Sequence, residues 1–79
     1  FRIEKKQEAM DAVRNFFTAT EKPVAIYDFD GYRVEFSDWW FNIRPSNTEP
    51  YLRFIAEAKS TEMLDAKVSQ VRRIIEEMK

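Results

Sequence analysis

Hydrophobic periodicity changes twice along these 79 residues, near Pro23 and near Ser60, and the two changes leave few architectures open. Before Pro23, the apolar residues Ala9, Met10, Val13, Phe16 and Phe17 recur at helical spacing among Lys5, Lys6, Glu8, Asp11, Arg14 and Asn15. That spacing predicts an amphipathic helix from about Glu4 to Thr18 with one buried stripe. Pro23 cannot extend a helix and disfavours helical geometry in the residue before it, so the helix must end there. Beyond it the period becomes two. Val24 to Phe29 is rich in β-branched and aromatic residues, and Asp30-Gly31 supplies the positive-φ chemistry of a tight hairpin turn. Tyr32, Val34 and Phe36 then alternate with Arg33 and Glu35, and Ser37-Asp38 turns the chain back. Trp39, Phe41 and Ile43 alternate with Trp40, Asn42 and Arg44 in the next strand. Its partner, Tyr51 to Lys59, places Leu52, Phe54, Ala56 and Ala58 on one face and Arg53, Ile55 and Glu57 on the other. After Ser60 the helical period returns, with Leu64, Val68, Val71, Ile75 and Met78 forming a narrow seam; Ser60 or Thr61 can cap this helix, and Glu62 and Asp65 suit its positive end. The order helix, three or four antiparallel strands, helix predicts an α+β fold with both helices packed on one sheet face.

Composition narrows the function. There is no cysteine and no histidine, which removes disulfides, thiolate metal sites and the usual general base near neutral pH. The longest unbroken apolar run, Val24 to Tyr27, has four residues, against the roughly 20 of a membrane-spanning helix. No stretch reads as a membrane span or signal peptide, and we expect no membrane partner. Lys and Arg number 13 against 14 Asp and Glu, a formal net charge of −1; a nucleic-acid partner calls for a basic excess. The middle is acidic, with Glu21, Asp28, Asp30, Glu35, Asp38 and Glu49 against Lys22, Arg33 and Arg44. Residues 1–79 read as a single domain, and because the chain opens at Phe1 we expect a piece of a longer polypeptide.

Arg44-Pro45-Ser46-Asn47-Thr48-Glu49-Pro50 is the most unusual stretch. The guanidinium of Arg44 stands next to two hydroxyls, a carboxamide and several backbone N–H groups in one loop, Pro45 to Pro50, whose two prolines restrict its unfolded ensemble. Those are the parts of a phosphate cradle, since arginine offers a planar fork to phosphate oxygens and the others are neutral donors. The same residues are also ordinary turn formers. Nothing activates Ser46 or Thr48 as a nucleophile, so the loop is expected to bind and not to react. Glu49 would repel a phosphate and is expected to pair with Arg44 or Arg53 and so fix the loop.

The string RPSNTEP, following a DG-containing hairpin and followed by YLRFIAEAKS and a terminal helix, resembles the C-terminal domain of the α-D-phosphohexomutases, the phosphomannomutase/phosphoglucomutase family. The resemblance covers Asp30 to Lys79, and the first helix fits in kind. It implies the last of four domains, with a fold similar to the TATA-box-binding protein, closing over an active-site cleft. By the same resemblance, Arg44, Ser46, Asn47 and Thr48 would hold the phosphate of a hexose phosphate that is not being transferred, with Pro45, Glu49, Pro50 and Arg53 supporting the loop. The implied reaction is reversible phosphoryl transfer between C1 and C6 of a hexose, through a phosphoserine and a 1,6-bisphosphate, with Mg²⁺ assisting. Neither the serine motif nor the aspartate-rich Mg²⁺ loop is in these residues, so no catalytic residue, metal or cofactor is expected in this domain and the isolated chain should be inactive. Asn47, where glucosamine mutases usually show glycine, favours mannose or glucose 1-/6-phosphate as the ligand. The other domains of a cytoplasmic parent enzyme are the expected partners. The family often has a glycine in the turn before the strand leading to the loop, where this chain has Ser37-Asp38.

Other features have plainer readings. Asp28-Phe29-Asp30-Gly31 looks like an acidic metal loop but offers two carboxylates on alternating positions, too few converging oxygens for a hard cation. Tyr27, Trp39, Trp40, Phe41 and Tyr51 invite an alternative, a non-catalytic RNA- or protein-binding α+β module, although most of these rings are expected in the core, with Trp40 and Tyr51 outside it. Arg72-Arg73 reads as a solvated helix face.

Overall fold

The helix expected before Pro23 is α1, Lys6–Thr20, and its register differs from the sequence reading at one residue. Ala9, Met10, Val13 and Phe17 are buried, whereas Phe16 is 39% exposed. Phe17 takes the core position because it meets Trp39 edge-on at 4.9 Å and Phe41 at 5.6 Å, and a residue one step earlier lies about 100° round the helix. Glu21 then leaves helical geometry, at φ −148° and ψ 138°. Its Oε1 accepts a bond of 2.9 Å from Trp39 Nε1, so the one polar atom of that buried ring is satisfied.

The computed structural model describes residues 1–47 and 49–79. Four strands follow α1: β1 Ala25–Tyr27, β2 Tyr32–Glu35, β3 Trp39–Pro45 and β4 Leu52–Ala58. All pair antiparallel in the order β1-β2-β3-β4. β1 is shorter than the run Val24 to Phe29 suggested. Phe29 is 86% exposed beside the hairpin turn, and Tyr27, expected in the core, is 53% exposed. Its register explains this: Tyr27 pairs with Arg33 and so shares the sheet face away from the helices, while Ile26 pairs with buried Val34. The β2–β3 turn closes through Ser37-Asp38 without a glycine, Phe36 N donating to Trp39 O at 2.7 Å.

Helix α2, Thr61–Glu77, starts at Ser60, whose hydroxyl accepts from Met63 N at 3.1 Å. That bond satisfies one of the donors a helix start leaves open. Val71 and Ile75 are its buried positions, with Leu64 and Val68 half-buried. Both helices cover one sheet face, α1 against β2 and β3, α2 against β4, and they touch each other. The core between the layers is Ile3, Ala9, Met10, Val13, Phe17, Val34, Phe36, Trp39, Phe41, Ile43, Leu52, Val71 and Ile75. At its centre Phe41 meets Trp39 at 5.4 Å and Phe54 at 5.9 Å, both near-parallel. Among the described residues no polar or charged residue is buried, and no helix is long and apolar enough to cross a membrane.

The segment before α1 is tied to the return limb of the loop between β3 and β4. Phe1 and Leu52 exchange backbone bonds of 2.9 and 2.7 Å, and Ile3 N donates to Pro50 O at 2.8 Å. These bonds place the start of α1 directly beside the RPSNTEP loop.

Candidate functional site

Pro45 is the last residue of β3, paired with Leu52, so the connection itself begins at Ser46 and not at Pro45. Ser46 N donates to Tyr51 O at 2.9 Å and Tyr51 N to Glu49 O at 2.8 Å, which closes the connection on itself. From α1, Lys6 Nζ donates to Ser46 O at 3.1 Å and to Glu49 O at 3.2 Å. Among the described residues the side chain of Glu49 makes no ion pair with Arg44 or Arg53. The expected carboxylate anchor is thus replaced by a lysine acting on carbonyls. Thr48 lies outside the described residues.

Arg44 and Arg53 are Cα partners across β3 and β4, both exposed on the sheet face away from the helices. Like charges directly opposite one another destabilise a sheet, and among the described residues neither guanidinium has a carboxylate within 4.0 Å. The fold therefore holds two positive groups as register neighbours, neither in a direct ion pair among the described residues. The other arginines near the aromatic residues are committed: Arg33 bonds Glu35 at 2.9 Å and lies over the Trp40 ring at 4.1 Å. Arg14 bonds Asn15 Oδ1 at 3.1 Å and stacks on Tyr32 at 4.4 Å.

Gly31 is what brings the β1–β2 turn against this pair. Asp30 and Gly31 both have positive φ, 54° and 104°. A Cβ on Gly31 would collide with the Ile43 carbonyl oxygen and stand 2.8 Å from Arg44 Cα. Only a glycine lets the turn lie on the β3 backbone there.

A cleft of about 720 Å³ results, lined by Arg44, Ser46, Asn47 and Arg53, by Asp28 and Asp30 of the turn, and by Gln7, Arg14 and Tyr32 on the α1 side, among others. The α1 wall is a polar cluster. Tyr32 OH donates to Asp11 Oδ1 at 2.5 Å, and Gln7 Nε2 donates to both at 3.0 and 3.1 Å. The bond from Tyr32 holds the Asp11 carboxyl below its ordinary range, and the same bond to Asp11 pushes the Tyr32 phenol up. Tyr32 and Asp11 are therefore neutral and ionised respectively near neutral pH.

Of the site residues expected from sequence, Arg44, Pro45, Ser46, Asn47 and Arg53 meet at one cleft; Glu49 and Pro50 belong to the loop but do not line the cleft. Lys6, Gly31 and the Asp28/Asp30 pair were missed as parts of the site. Gly31, the single glycine of the chain, and the acidic run Asp28-Phe29-Asp30 carried signals in the sequence, whereas Lys6 carried none. Among the described residues no group of three or more Asp, Glu, His or Cys is placed to hold a metal ion.

Fold and site together define a small α+β domain with an open cleft whose neutral donors and two guanidiniums, outside any direct ion pair among the described residues, suit an oxyanion. Residues 1–74 match the family described as phosphoglucomutase/phosphomannomutase, C-terminal domain. The chain belongs to that family. It is 32% identical over 75 residues to a phosphomannomutase of Methanocaldococcus jannaschii, covering 95% of this chain and 16% of that protein. To a probable phosphoglucosamine mutase of Thermococcus kodakarensis it is 35% identical over 72 residues, covering 91% and 16%. A crystal structure of a phosphoglucomutase/phosphomannomutase family protein from Burkholderia thailandensis superposes with a TM-score of 0.58 at 29% identity, over 87% of this chain and 15% of that one. The chain thus spans about a sixth of the length of these relatives. Their names include phosphomannomutase, phosphoglucomutase and phosphoglucosamine mutase, so the preference read from Asn47 gains nothing from them.

Proposed function

We propose that this domain holds the non-transferred phosphate of a hexose phosphate while the rest of a phosphohexomutase moves the other phosphoryl group between C1 and C6. The observation that carries this is the pair Arg44 and Arg53, register partners with exposed guanidiniums and no carboxylate within 4.0 Å among the described residues. A phosphate dianion set between them would remove a repulsion that the free sheet sustains.

The division of labour follows from the groups present. Arg44 and Arg53 supply charge and Ser46 and Asn47 supply neutral donors, with Thr48 retained from the sequence as a further donor. Asp28 and Asp30 in the same cleft accept hydrogen bonds, as sugar hydroxyls require and phosphates do not. A ligand with an anionic end and a hydroxylated body satisfies both sets. Phosphoryl transfer depends chiefly on positioning and electrostatics, so a remote phosphate gripped here contributes orientation to the reacting end. We place the phosphoserine, the magnesium ion and the opposite wall of the cleft in the remainder of the polypeptide, and no step of the chemistry on this chain. Mannose or glucose 1-/6-phosphate is the proposed ligand class, and the cytoplasm the proposed compartment.

Steady-state kinetics of the full-length polypeptide test this. Arg44→Ala is expected to raise KM for the hexose phosphate about 10- to 100-fold, the worth of one charge-assisted phosphate contact, and to lower kcat as the ligand is held less squarely. An unchanged KM in a folded variant would count against the proposal.

A further inference from the structure

Lys6 sits in the first turn of α1, the end of a helix where a cation is unfavourable, and that helix start has no side-chain cap. Nothing about the helix itself calls for lysine there. Its ammonium instead bridges the two limbs of the RPSNTEP loop, donating to the carbonyls of Ser46 and Glu49 at 3.1 and 3.2 Å. In a trans peptide the carbonyl and the following N–H lie in one plane and point in opposite directions within it. Holding Ser46 C=O on Lys6 therefore sends Asn47 N–H the other way. Ser46 and Asn47 line the cleft and Lys6 does not, so the far side of that peptide is the cleft side. Ser46 N is already spent on Tyr51 O, whereas among the described residues Asn47 N–H has no acceptor. The segment that delivers Lys6 is fixed to the same loop through Ile3 N and Pro50 O at 2.8 Å.

We infer that Lys6 is a positioning residue that aims the Asn47 backbone N–H into the cleft as a donor to the bound phosphate, an inference that rests on the phosphate-binding function proposed above. Lys6 itself touches no ligand. It acts by orienting one peptide before the ligand arrives, which spares the loop an ordering cost on binding.

The test is an amide-resolved NMR titration of the 79-residue chain with glucose 1-phosphate, run on the wild type, Lys6→Met and Lys6→Arg, with the spectra of core residues reporting that each variant is folded. Lys6→Met is expected to weaken binding about fivefold, the scale of one lost preorganising contact, and to reduce the ligand-induced downfield shift of the Asn47 amide. Lys6→Arg, which keeps charge and donors, is expected to restore most of both. Wild-type affinity and an unchanged Asn47 shift in Lys6→Met would overturn the inference and leave the phosphate site standing. Weaker binding with the full Asn47 shift would also overturn it, since Lys6 would then act through charge alone. Absence of saturable binding by the wild type would remove the phosphate site and this inference with it.

Discussion

Arg44 and Arg53 oppose one another across two strands, an arrangement expected to lower the stability of the sheet and, on the proposed function, to raise the affinity of the cleft for an anion. The two effects separate in one variant. Arg53→Gln is expected to raise the urea midpoint of the free chain slightly while weakening its binding of glucose 1-phosphate about tenfold, a tradeoff that a structural arginine would not show. Loss of stability together with unchanged affinity would instead identify Arg53 as a loop support. The Tyr32–Asp11 bond makes a pH prediction. Asp11 is depressed in the folded chain, so its contribution is present above the ordinary carboxylate range and is lost as pH falls through the folded value. Tyr32 is raised from 10.0, so its contribution is complete below that value and is lost as pH rises through the folded one. Thermal melts of the wild type and Tyr32→Phe should therefore differ across neutral pH and converge at both extremes; a constant difference would place the effect in packing. At this scale the sequence was a good guide to which side chains are polar and near the loop, but poor on their partners. Glu49 looked like the natural ion-pair partner of Arg44, yet the loop is held by Lys6, some 40 residues away in sequence, a separation at which spacing carries no information.

Elements show the same division between local and distant causes. Ser60 and Pro23 are local signals and mark the ends of α2 and α1 correctly. Ser60→Ala should cost about 1 kcal/mol in urea unfolding through loss of the bond to Met63 N, and no change would mean that the N-terminal turn is held by packing. The choice between Phe16 and Phe17 is not local. Both lie on the apolar side of α1, and only the position of Trp39 and Phe41 in the folded sheet selects Phe17. Gly31 combines the two. Its role as a turn former was legible from the DG pair, whereas its contact with the β3 backbone at Arg44 depends on how the hairpin folds over the sheet. Gly31→Ala combines positive φ with a close approach to backbone, and should destabilise the chain by about 1–3 kcal/mol. It should also shift the Arg44 amide, which a strain confined to the turn would leave in place.

For the molecule as a whole, alternation along β2, β3 and β4 and two helical seams was enough to give the α+β layers, whereas β1 is apolar on both faces and its side could not be read from alternation. What alternation did not reveal was the cleft, because it is formed where a turn, a strand end and the start of a helix converge from three parts of the chain. The one core is small, and Phe41 touches most of its rings. Phe41→Ala should therefore cost about 3–5 kcal/mol, a large share of the stability of any domain this size, and circular dichroism should show much of the population unfolded at 37 °C. On the proposed function, the cleft between the RPSNTEP loop and the Asp30-Gly31 turn binds a sugar phosphate by its phosphate. An NMR titration with glucose 1-phosphate, inorganic phosphate, glucose and a short RNA tests it most directly. Saturable shifts at Arg44 to Asn47 and at Arg53 with the two phosphates, and none with glucose, are the predicted result; shifts at Tyr27, Trp40 and Ile55 with RNA, and none at the loop with either phosphate, would contradict it.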